Sequence, residues 1–391
     1  MKIYQFGCGD ELHSYKKSLV LYFCGKRKVL STGLNHGGCR TDLKAVFNND
    51  GNPGPGMEFL MRAPTYREHL DVIAGEDLGL DIQSCSGFCT AASMENASIK
   101  SMKHEYFTVT AVVTAGIQGN GGRIGDPACY SETPNLKTEE VRKPGTINIM
   151  LHIDADLPDG TLTKALVSCT EARVAAIQEL LAPSRYSNGL ATGSGTDGII
   201  VVCNPESENT LTDAGIHSKL GEYIGKTVKE AVKEALYLQT GLSPKFQHDI
   251  LRRMDRFGVT DDSLWKLFSA KNTLPGSLPR YEFEHRLDRL KTQDMLVTYT
   301  SLYAHLLDQT EWKLLEPKEA WEAGKRILKL AGLEAAEKAD WKPDTESVEE
   351  ADWKPDTESV VEWMVRRYME GLLSLITKEN ASEADECRWH S

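Results

Sequence analysis

The chain has 391 residues, 40% of them hydrophobic, and a formal net charge of −12. This length allows more than one domain and a sizeable core. The negative charge argues against nucleic acid or an anionic membrane surface as the main partner. We find no 18-residue apolar run and no signal-peptide pattern in Met1–Asp10, which predicts a cytoplasmic protein without a membrane span. Nine scattered cysteines are typical of reduced thiols rather than a disulfide framework.

Composition divides the chain near Gly241. Residues 1–240 and the shorter remainder, 241–391, each hold 51 charged residues, but 26 of the 32 glycines and 8 of the 9 cysteines lie in the first part. Many glycines with low charge favour turns and a site, whereas high charge with few glycines is typical of solvated helices. We therefore predict an α/β or α+β domain at 1–240, with a mixed sheet and packed helices. A mainly helical extension follows at 241–391.

Short strands are predicted at the start of the chain, at Lys2–Phe6, Ser18–Phe23 and Lys26–Leu30, with Cys24-Gly25 as a hairpin turn. The segment LSTGLNHGGC then ends a strand with Asn35 and His36, which become candidate binding residues. Three pairs have a spacing that suits a metal: His36/Cys39, Cys85/Cys89 and Cys387/His390. None joins a second matching pair, so no metal site is expected.

A glycine-rich loop, TAGIQGNGGRIGDPA at 114–128, follows a strand predicted at Phe107–Ala115. Its bare backbone suits close approach to a ligand, and Asn120, Arg123 and Asp126 supply polar groups. The Lys-Ser/Thr ending of a phosphate-binding loop is absent. A surface loop without a ligand remains the alternative.

The segment GTINIMLHIDADLPDG at 145–160 is the most informative. As a strand it places Ile147, Ile149, Leu151 and Ile153 on one face, and on the other face Thr146, Asn148, His152 and Asp154. A half-exposed strand with a solvated polar face is the alternative on pattern alone.

Further along, GLATGSGTDGIIVV delivers Ser194, Thr196 and Asp197 to the start of a buried strand at Gly198–Cys203. One helix is predicted to begin at Asp159-Gly160 and end before Pro183, with a stripe of Leu162, Leu166, Val174, Ile177 and Leu181. A second begins at Thr212-Asp213, buries Leu220 to Leu236 and ends at Gly241. On that helix His217 shares the buried face, where a core or capping histidine is commoner than a catalyst.

The C-terminal region contains a direct repeat, ADWKPDTESV, at Ala339–Val348 and Ala351–Val360. Two copies are too few for a solenoid, and each proline interrupts a helix, so a duplicated linker is predicted. A helical stripe from Val361 to Leu375 follows, and it packs either on the first domain or on a partner.

Together these motifs resemble the adenosylcobinamide amidohydrolase (CbiZ) family. They are LSTGLNHGG, TAGIQGNGGRIGDPA, GTINIMLHIDADLPDGTLTKALVSCTEA, ATGSGTDGIIVV and GIHSKLGEYIG, in family order over Lys16–Leu238. The resemblance implies hydrolysis of the amide between the corrin ring and the aminopropanol arm of adenosylcobinamide, for corrinoid salvage into coenzyme B12. The cobalt corrinoid is then the substrate, no further cofactor is implied, and a homo-oligomer is left open.

Amide hydrolysis needs a nucleophile, oxyanion donors and an acid for the leaving amine. The catalytic candidates are Thr146, His152, Asp154, Asp126 and Asp197. The candidates for substrate binding are Asn35, His36, Asn120, Arg123, Asn148, Ser194, Thr196 and His217. Thr146, or a water held near His152 and Asp154, is the expected nucleophile, with backbone N–H groups of Gly119–Gly122 and Asn120 or Asn148 on the oxyanion.

Three alternatives remain at this point. The protein could bind or deliver a corrinoid without hydrolysing it, or it could hydrolyse a smaller amide. Gly145-Thr146 also invites comparison with hydrolases that cleave themselves before a threonine, whose new amino terminus then serves as the base.

Overall fold

Apolar strands and helices of the first unit build a mixed α/β structure, as the composition predicted. The computed structural model describes residues 1–54, 57, 59–128, 145–271, 278–333 and 359–386. The chain divides into two units, Met1–Pro244 and Lys245–Ser391. The repeat at 339–360, apart from Ser359 and Val360, and the pair Cys387/His390 lie outside the described residues.

The strands of the first unit are, in chain order, β1 (Lys2–Gln5), β2 (Glu11–Tyr15), β3 (Ser18–Tyr22), β4 (Lys28–Ser31), β5 (Gly38–Arg40), β6 (Ala45–Asp50), β7 (Cys85–Thr90), β8 (Ser98–Lys103), β9 (Thr108–Gly116), β10 (Gly121–Gly122), β11 (Thr146–Ile153), β12 (Gly193–Ser194) and β13 (Gly198–Cys203). Its α-helices are α1 (Tyr66–Val72), α2 (Asp159–Glu179) and α3 (Lys219–Thr240).

Two sheets organise this unit. One has the order β1-β2-β3-β6-β7, the other β5-β4-β13-β11-β9-β8, and β10 pairs with β12 separately. In the six-stranded sheet β11 runs parallel to β13 and antiparallel to β9, so the starts of β11 and β13 meet the end of β9.

The layers follow from which face of each sheet is apolar. Apolar residues of both sheets, among them Leu21, Met150 and Val202, form one core between the sheets. On its outer face the six-stranded sheet is covered by α2 and α3. A second cluster that includes Phe47, Leu70 and Ile73 packs α1 against the outer face of the five-stranded sheet. The unit is therefore a four-layer sandwich of helix, sheet, sheet and helix.

Because sheets cover both faces of β11, all eight of its residues are buried. The predicted split between the isoleucine–leucine face and the polar face is present, but the polar face meets the second sheet instead of water. The alternative of a solvated polar face is wrong. Met150 interrupts the polar row and divides it into an Asn148 end and a His152 end.

Three local predictions are wrong. Cys24-Gly25 is not a hairpin turn, because β3 and β4 belong to different sheets and the chain crosses between them here. The second helix begins at Lys219 rather than Thr212, since the Ser218 side chain caps it by accepting the Gly221 N–H. The buried side of α2 is centred on small residues instead of the predicted stripe, Ala165, Cys169, Ala172 and Ala176, which allow close packing on α3.

The second unit is helical in its described residues, as predicted. Its helices are α4 (Ile250–Met254), α5 (Asp261–Lys271), α6 (Arg280–Leu290), α7 (Asp294–Glu311), α8 (Pro317–Leu330) and α9 (Val360–Glu386). The stripe of α9, with Met364, Tyr368 and Leu372, packs into the core of this same unit. The Tyr303 hydroxyl donates to the Met364 carbonyl at 2.8 Å across that core. Among the described helices of both units, none has the length and apolar character that crossing a membrane requires.

Candidate active site

The start of β11 is held by a turn that precedes β13. Asp197, in that turn, accepts the Ile147 N–H at 2.8 Å through Oδ1 and the Ser194 N–H at 2.8 Å through Oδ2. The Ser194 hydroxyl also donates to Oδ1 at 2.6 Å. One carboxylate thus joins two strands that are 50 residues apart in sequence.

The Gly145 carbonyl, directly before β11, lies among three polar side chains. Its oxygen accepts from Asn120 Nδ2 at 2.6 Å and lies 3.1 Å from Thr196 Oγ1 and 2.8 Å from Thr146 Oγ1. The two threonine hydroxyl oxygens are 2.6 Å apart. Thr146 and Asn120 are buried, whereas Thr196 is exposed, so water can reach this group from the Thr196 side.

Burial dominates the electrostatics of Asp197. Its side chain is only 5% exposed, and this desolvation raises its pKa above the ordinary aspartate value. The guanidinium of Arg173 on α2, whose Nη1 lies 2.9 Å from Oδ2, partly offsets the effect, as do the hydrogen bonds from Ser194 and Ile147. Arg173 thereby stabilises the ionised carboxylate that anchors the strand.

Behind this group a short polar chain crosses between the sheets. Asn148 Nδ2 donates to Asn48 Oδ1 at 2.8 Å, and Asn48 Nδ2 donates to Thr114 Oγ1 at 2.8 Å. The Oδ1 atom of Asn148 is buried without a hydrogen-bond partner among the described residues. Asn148 therefore lies one pleat inside the Thr146 group and supports it from within the sandwich.

The loop that carries Asn35 and His36 lies at the same end of the sandwich. Thr32, which begins this loop, exchanges hydrogen bonds with Ile199 at 3.0 Å in both directions. Asn35 Oδ1 accepts the Gly87 N–H at 3.0 Å, and its Nδ2 has no partner among the described residues. His36 has a φ of +50°, and its Nε2 lies 3.9 Å from Asp71 Oδ1.

Arg123 and Asp126 brace the glycine-rich loop. Asp126 Oδ2 accepts the Arg123 N–H at 2.7 Å and the Ser184 hydroxyl at 2.6 Å. Burial acts to raise the pKa of Asp126, but these and neighbouring hydrogen bonds outweigh it and lower the pKa. The N–H of Gly121 donates to the Ile117 carbonyl, so it is not free to hold an oxyanion. The Asn120 side chain supplies a donor in its place.

His152 and Asp154 lie at the other end of β11. Six residues separate Thr146 from His152, which at about 3.3 Å per strand residue is roughly 20 Å. His152 Nε2 lies 3.0 Å from Asp10 Oδ2 and 3.5 Å from Cys8 Sγ, and the ring packs against Phe6. Asp154 Oδ1 accepts from Asn204 Nδ2 at 2.9 Å. These two candidates cannot act on the same bond as Thr146.

Cys8, Asp10 and His152 form the one group with metal-ligand geometry found among the described residues. Both carboxylate oxygens of Asp10 are already paired with buried Arg27, at 2.7 and 2.8 Å. Burial raises the pKa of Cys8 to about 11, which keeps the thiol protonated at neutral pH. A cation here would lie beside a guanidinium, so the donor set fits an ion-pair network that joins the sheets better than a metal site.

His217 is exposed and precedes α3, contrary to the predicted buried position. Early in α3, Tyr223 contacts Phe107 at the His152 end of the sheet, with ring centroids 5.4 Å apart. His217 therefore lies away from Thr146.

The structure brings together eight of the predicted residues at one end of the sandwich: Asn35, His36, Asn120, Thr146, Asn148, Ser194, Thr196 and Asp197. Arg123 and Asp126 support the adjoining loop. Sequence reasoning missed Arg173, Asn48 and Thr114. An arginine among the small residues of α2 was a usable signal for the first, but the asparagine and threonine gave none, because each looks like an ordinary strand residue.

Comparisons with known proteins concern this same unit. The family model described as adenosylcobinamide amidohydrolase matches residues 5–244. An uncharacterized protein of Methanocaldococcus jannaschii is 33% identical over 239 residues, which are 59% of this chain and 89% of that protein. A Methanosarcina mazei protein named adenosylcobinamide amidohydrolase is 28% identical over 231 residues, 57% of this chain and 96% of that protein. A crystal structure of a Pyrococcus horikoshii OT3 protein covers 62% of this chain and 86% of its own at 14% identity, and its TM-score of 0.29 carries no argument.

Proposed function

The chain belongs to the adenosylcobinamide amidohydrolase family, and we propose that it hydrolyses the amide that joins the corrin ring of adenosylcobinamide to its aminopropanol arm. The products are adenosylcobyric acid and aminopropanol, and the acid would re-enter coenzyme B12 synthesis. The cobalt corrinoid is the substrate in this proposal, and the reaction at the ring periphery requires no ligand to the metal.

One observation carries the assignment of the site: two donors from separate segments converge on a carbonyl oxygen beside a buried threonine hydroxyl. Asn120 Nδ2 and Thr196 Oγ1 are the donors, and Thr146 Oγ1 is the hydroxyl. Donors fixed around the position of a developing oxyanion are what an acyl-transfer site needs.

In the proposed reaction the Thr146 hydroxyl oxygen attacks the amide carbon of the substrate. Asn120 and Thr196 hold the oxyanion, and the hydroxyl proton passes to the leaving aminopropanol nitrogen. Water then hydrolyses the ester on Thr146. Asp197 acts through position, since it holds the Ile147 N–H and the Ser194 turn that presents Thr196.

The surface at this end suits a large, flat and partly apolar substrate. Loops that leave β4, β6 and β9 here carry exposed apolar side chains, namely Leu34, Met57, Phe59, Leu60, Met61 and Ile124. Asn48, near the end of β6, bonds Thr114 and Asn148, which places the end of β6 beside the start of β11. Exposed apolar groups in such number are typical of a binding surface. Asn35, His36 and Arg123 supply polar partners for the corrin amides.

Incubation with adenosylcobinamide tests the proposal, with aminopropanol release as the readout. We expect release by the wild type and by Thr163→Val, a control whose hydroxyl only bonds back to Asp159 within α2. We expect none from Thr146→Ala. Full activity in Thr146→Ala would overturn the site and favour a water near His152 and Asp154.

The same assay separates the rival functions. A protein that only binds or delivers the corrinoid would shift the corrinoid absorption spectrum without releasing aminopropanol. An amidohydrolase for a smaller amide would release product from a non-corrinoid amide and leave adenosylcobinamide intact. Either result would contradict the proposed function.

A further inference from the structure

The proposed oxyanion donors are already occupied by the chain's own backbone. The Gly145 carbonyl oxygen accepts from Asn120 Nδ2 at 2.6 Å and lies 3.1 Å from Thr196 Oγ1. The substrate carbonyl cannot use these donors while Gly145 does. The chain's own Gly145–Thr146 amide thus lies where the substrate amide has to lie.

Glycine is required at this position by close packing. A Cβ added to Gly145 would overlap Asn120 Oδ1 and the Gly116 carbonyl oxygen. Only glycine lets the carbonyl lie this close to Asn120, so the peptide and its donors are matched in shape. The same peptide bond has a hydroxyl beside it, because Thr146 Oγ1 lies 2.8 Å from the carbonyl oxygen.

We propose that the chain cleaves its own Gly145–Thr146 peptide bond, with the Thr146 hydroxyl as nucleophile. This is an activity beyond corrinoid hydrolysis and needs no corrinoid. Thr146 Oγ1 attacks the Gly145 carbonyl carbon, the C–N bond breaks, and the nitrogen leaves as the amine. An ester between Gly145 and the Thr146 oxygen results. Water then hydrolyses that ester to a Gly145 carboxylate and a Thr146 with a free amine and a free hydroxyl.

The hydroxyl pair provides the path for the proton. Each threonine hydroxyl has one proton, so when Thr196 donates to the Gly145 oxygen, Thr146 donates to the Thr196 oxygen. During attack the Thr146 proton moves to Thr196 and the Thr196 proton moves to the carbonyl oxygen. Collapse of the tetrahedral carbon returns a proton to the departing nitrogen. Thr196 is held for this exchange by its N–H, which donates to Ser194 Oγ at 3.3 Å.

An unpaired acceptor stands ready for the new amine. Asn120 Oδ1 is buried, lies against Gly145, and has no hydrogen-bond partner among the described residues. An ammonium formed at Thr146 gives this oxygen a donor, which the intact peptide lacks. In consequence, and resting on the proposed function, cleavage would empty the oxyanion donors for the substrate and supply an amine as base for the Thr146 hydroxyl.

Mass spectrometry of the full chain, made in a cell-free system with protease inhibitors, tests this inference. We expect a fragment that ends at Gly145 and a fragment that begins at Thr146. Thr146→Ala should remain intact and Thr146→Ser should cleave. Thr196→Val should cleave roughly 100-fold more slowly, as for loss of one oxyanion donor. Thr163→Val should match the wild type.

Hydroxylamine distinguishes the ester route from adventitious proteolysis. It should accelerate cleavage and leave a hydroxamate on Gly145, since it attacks esters much faster than amides. Fragments that persist in Thr146→Ala would overturn the mechanism. An intact chain that still releases aminopropanol would overturn self-cleavage and leave the proposed function standing. Cleaved protein without aminopropanol release would do the opposite.

Discussion

Thr146 Oγ1 and Thr196 Oγ1 lie 2.6 Å apart, although 50 residues separate them in the chain. The parallel pairing of β11 with β13 brings their two starting residues to one end of the sheet. Asp197 then fixes the distance by bonding the backbone of both segments. The pair is therefore a product of tertiary structure, and the following predictions depend on it.

Removal of the Thr196 hydroxyl should reduce aminopropanol release. We expect kcat for Thr196→Val to fall by roughly 100-fold, as for other lost oxyanion donors. Thr196→Ser keeps the hydroxyl and should stay close to the wild type. Since Thr196 is exposed, neither change should alter the melting temperature much. Unchanged kcat in Thr196→Val would remove Thr196 from the site.

Asp197 predicts an acid limit to activity. Burial raises its pKa, so it becomes protonated at a higher pH than an ordinary aspartate. Protonation weakens the pairing with Arg173 and the hold on Ile147, so activity should fall as the pH drops through the raised pKa. Asp197→Asn should have a lower kcat at neutral pH and lack this acidic limb. A pH–kcat profile measured at pH values where both proteins stay folded checks the prediction.

Asp154 allows the two ends of β11 to be compared. Asp154→Asn keeps the size of the side chain and lies roughly 20 Å or more from Thr146 at 3.3 Å per residue. We expect aminopropanol release within about threefold of the wild type. A loss comparable to that of Thr146→Ala would place the reaction at the His152 end.

Asp10 should contribute strongly to stability. Burial opposes its ionisation, but hydrogen bonds from His152 and Arg27 prevail and hold the pKa of Asp10 far below its ordinary value. A lowered pKa means that its contribution is complete above the unfolded pKa, near 4, and is lost as the pH falls through the folded value.

We therefore expect Asp10→Asn, which leaves Arg27 buried and unpaired, to lower the free energy of unfolding at pH 7 by about 3–5 kcal/mol. Urea unfolding from pH 7 to 3 should also show a weaker pH dependence in the variant. Exposed Glu11→Gln is the neighbouring control and should change stability by less than about 1 kcal/mol.

The exposed apolar side chains should bind the corrin. Leu34 is 64% and Ile124 89% exposed, so changing either to serine removes no core packing. We expect KM for adenosylcobinamide to rise by up to roughly tenfold in each, with kcat unchanged, because apolar burial supplies ground-state binding. Ile216→Ser is the matched control, since Ile216 is 69% exposed but precedes α3 at the opposite end. An equal KM effect in Ile216→Ser would contradict a surface confined to the Thr146 end.

The sequence alone determined much of this protein. The period of two in β11, the apolar run of β13 and the stripe of α3 predicted those elements, because local alternation reports directly which side chains face a core. The ordered motifs pointed to the family that the comparisons show. Gly145-Thr146, Asn120 and Thr196 were all named as candidates from their chemistry.

Tertiary structure decided which candidates can work together. Thr146 and His152 look alike in the pattern, since both lie on the same face of one strand, but a strand separates its residues by about 3.3 Å each. Pairing partners from other segments then gave Thr146 a hydroxyl and an amide, and gave His152 a carboxylate that Arg27 already holds. Sequence periodicity reports the face of a strand, whereas only strand order and register bring distant segments to one of its ends.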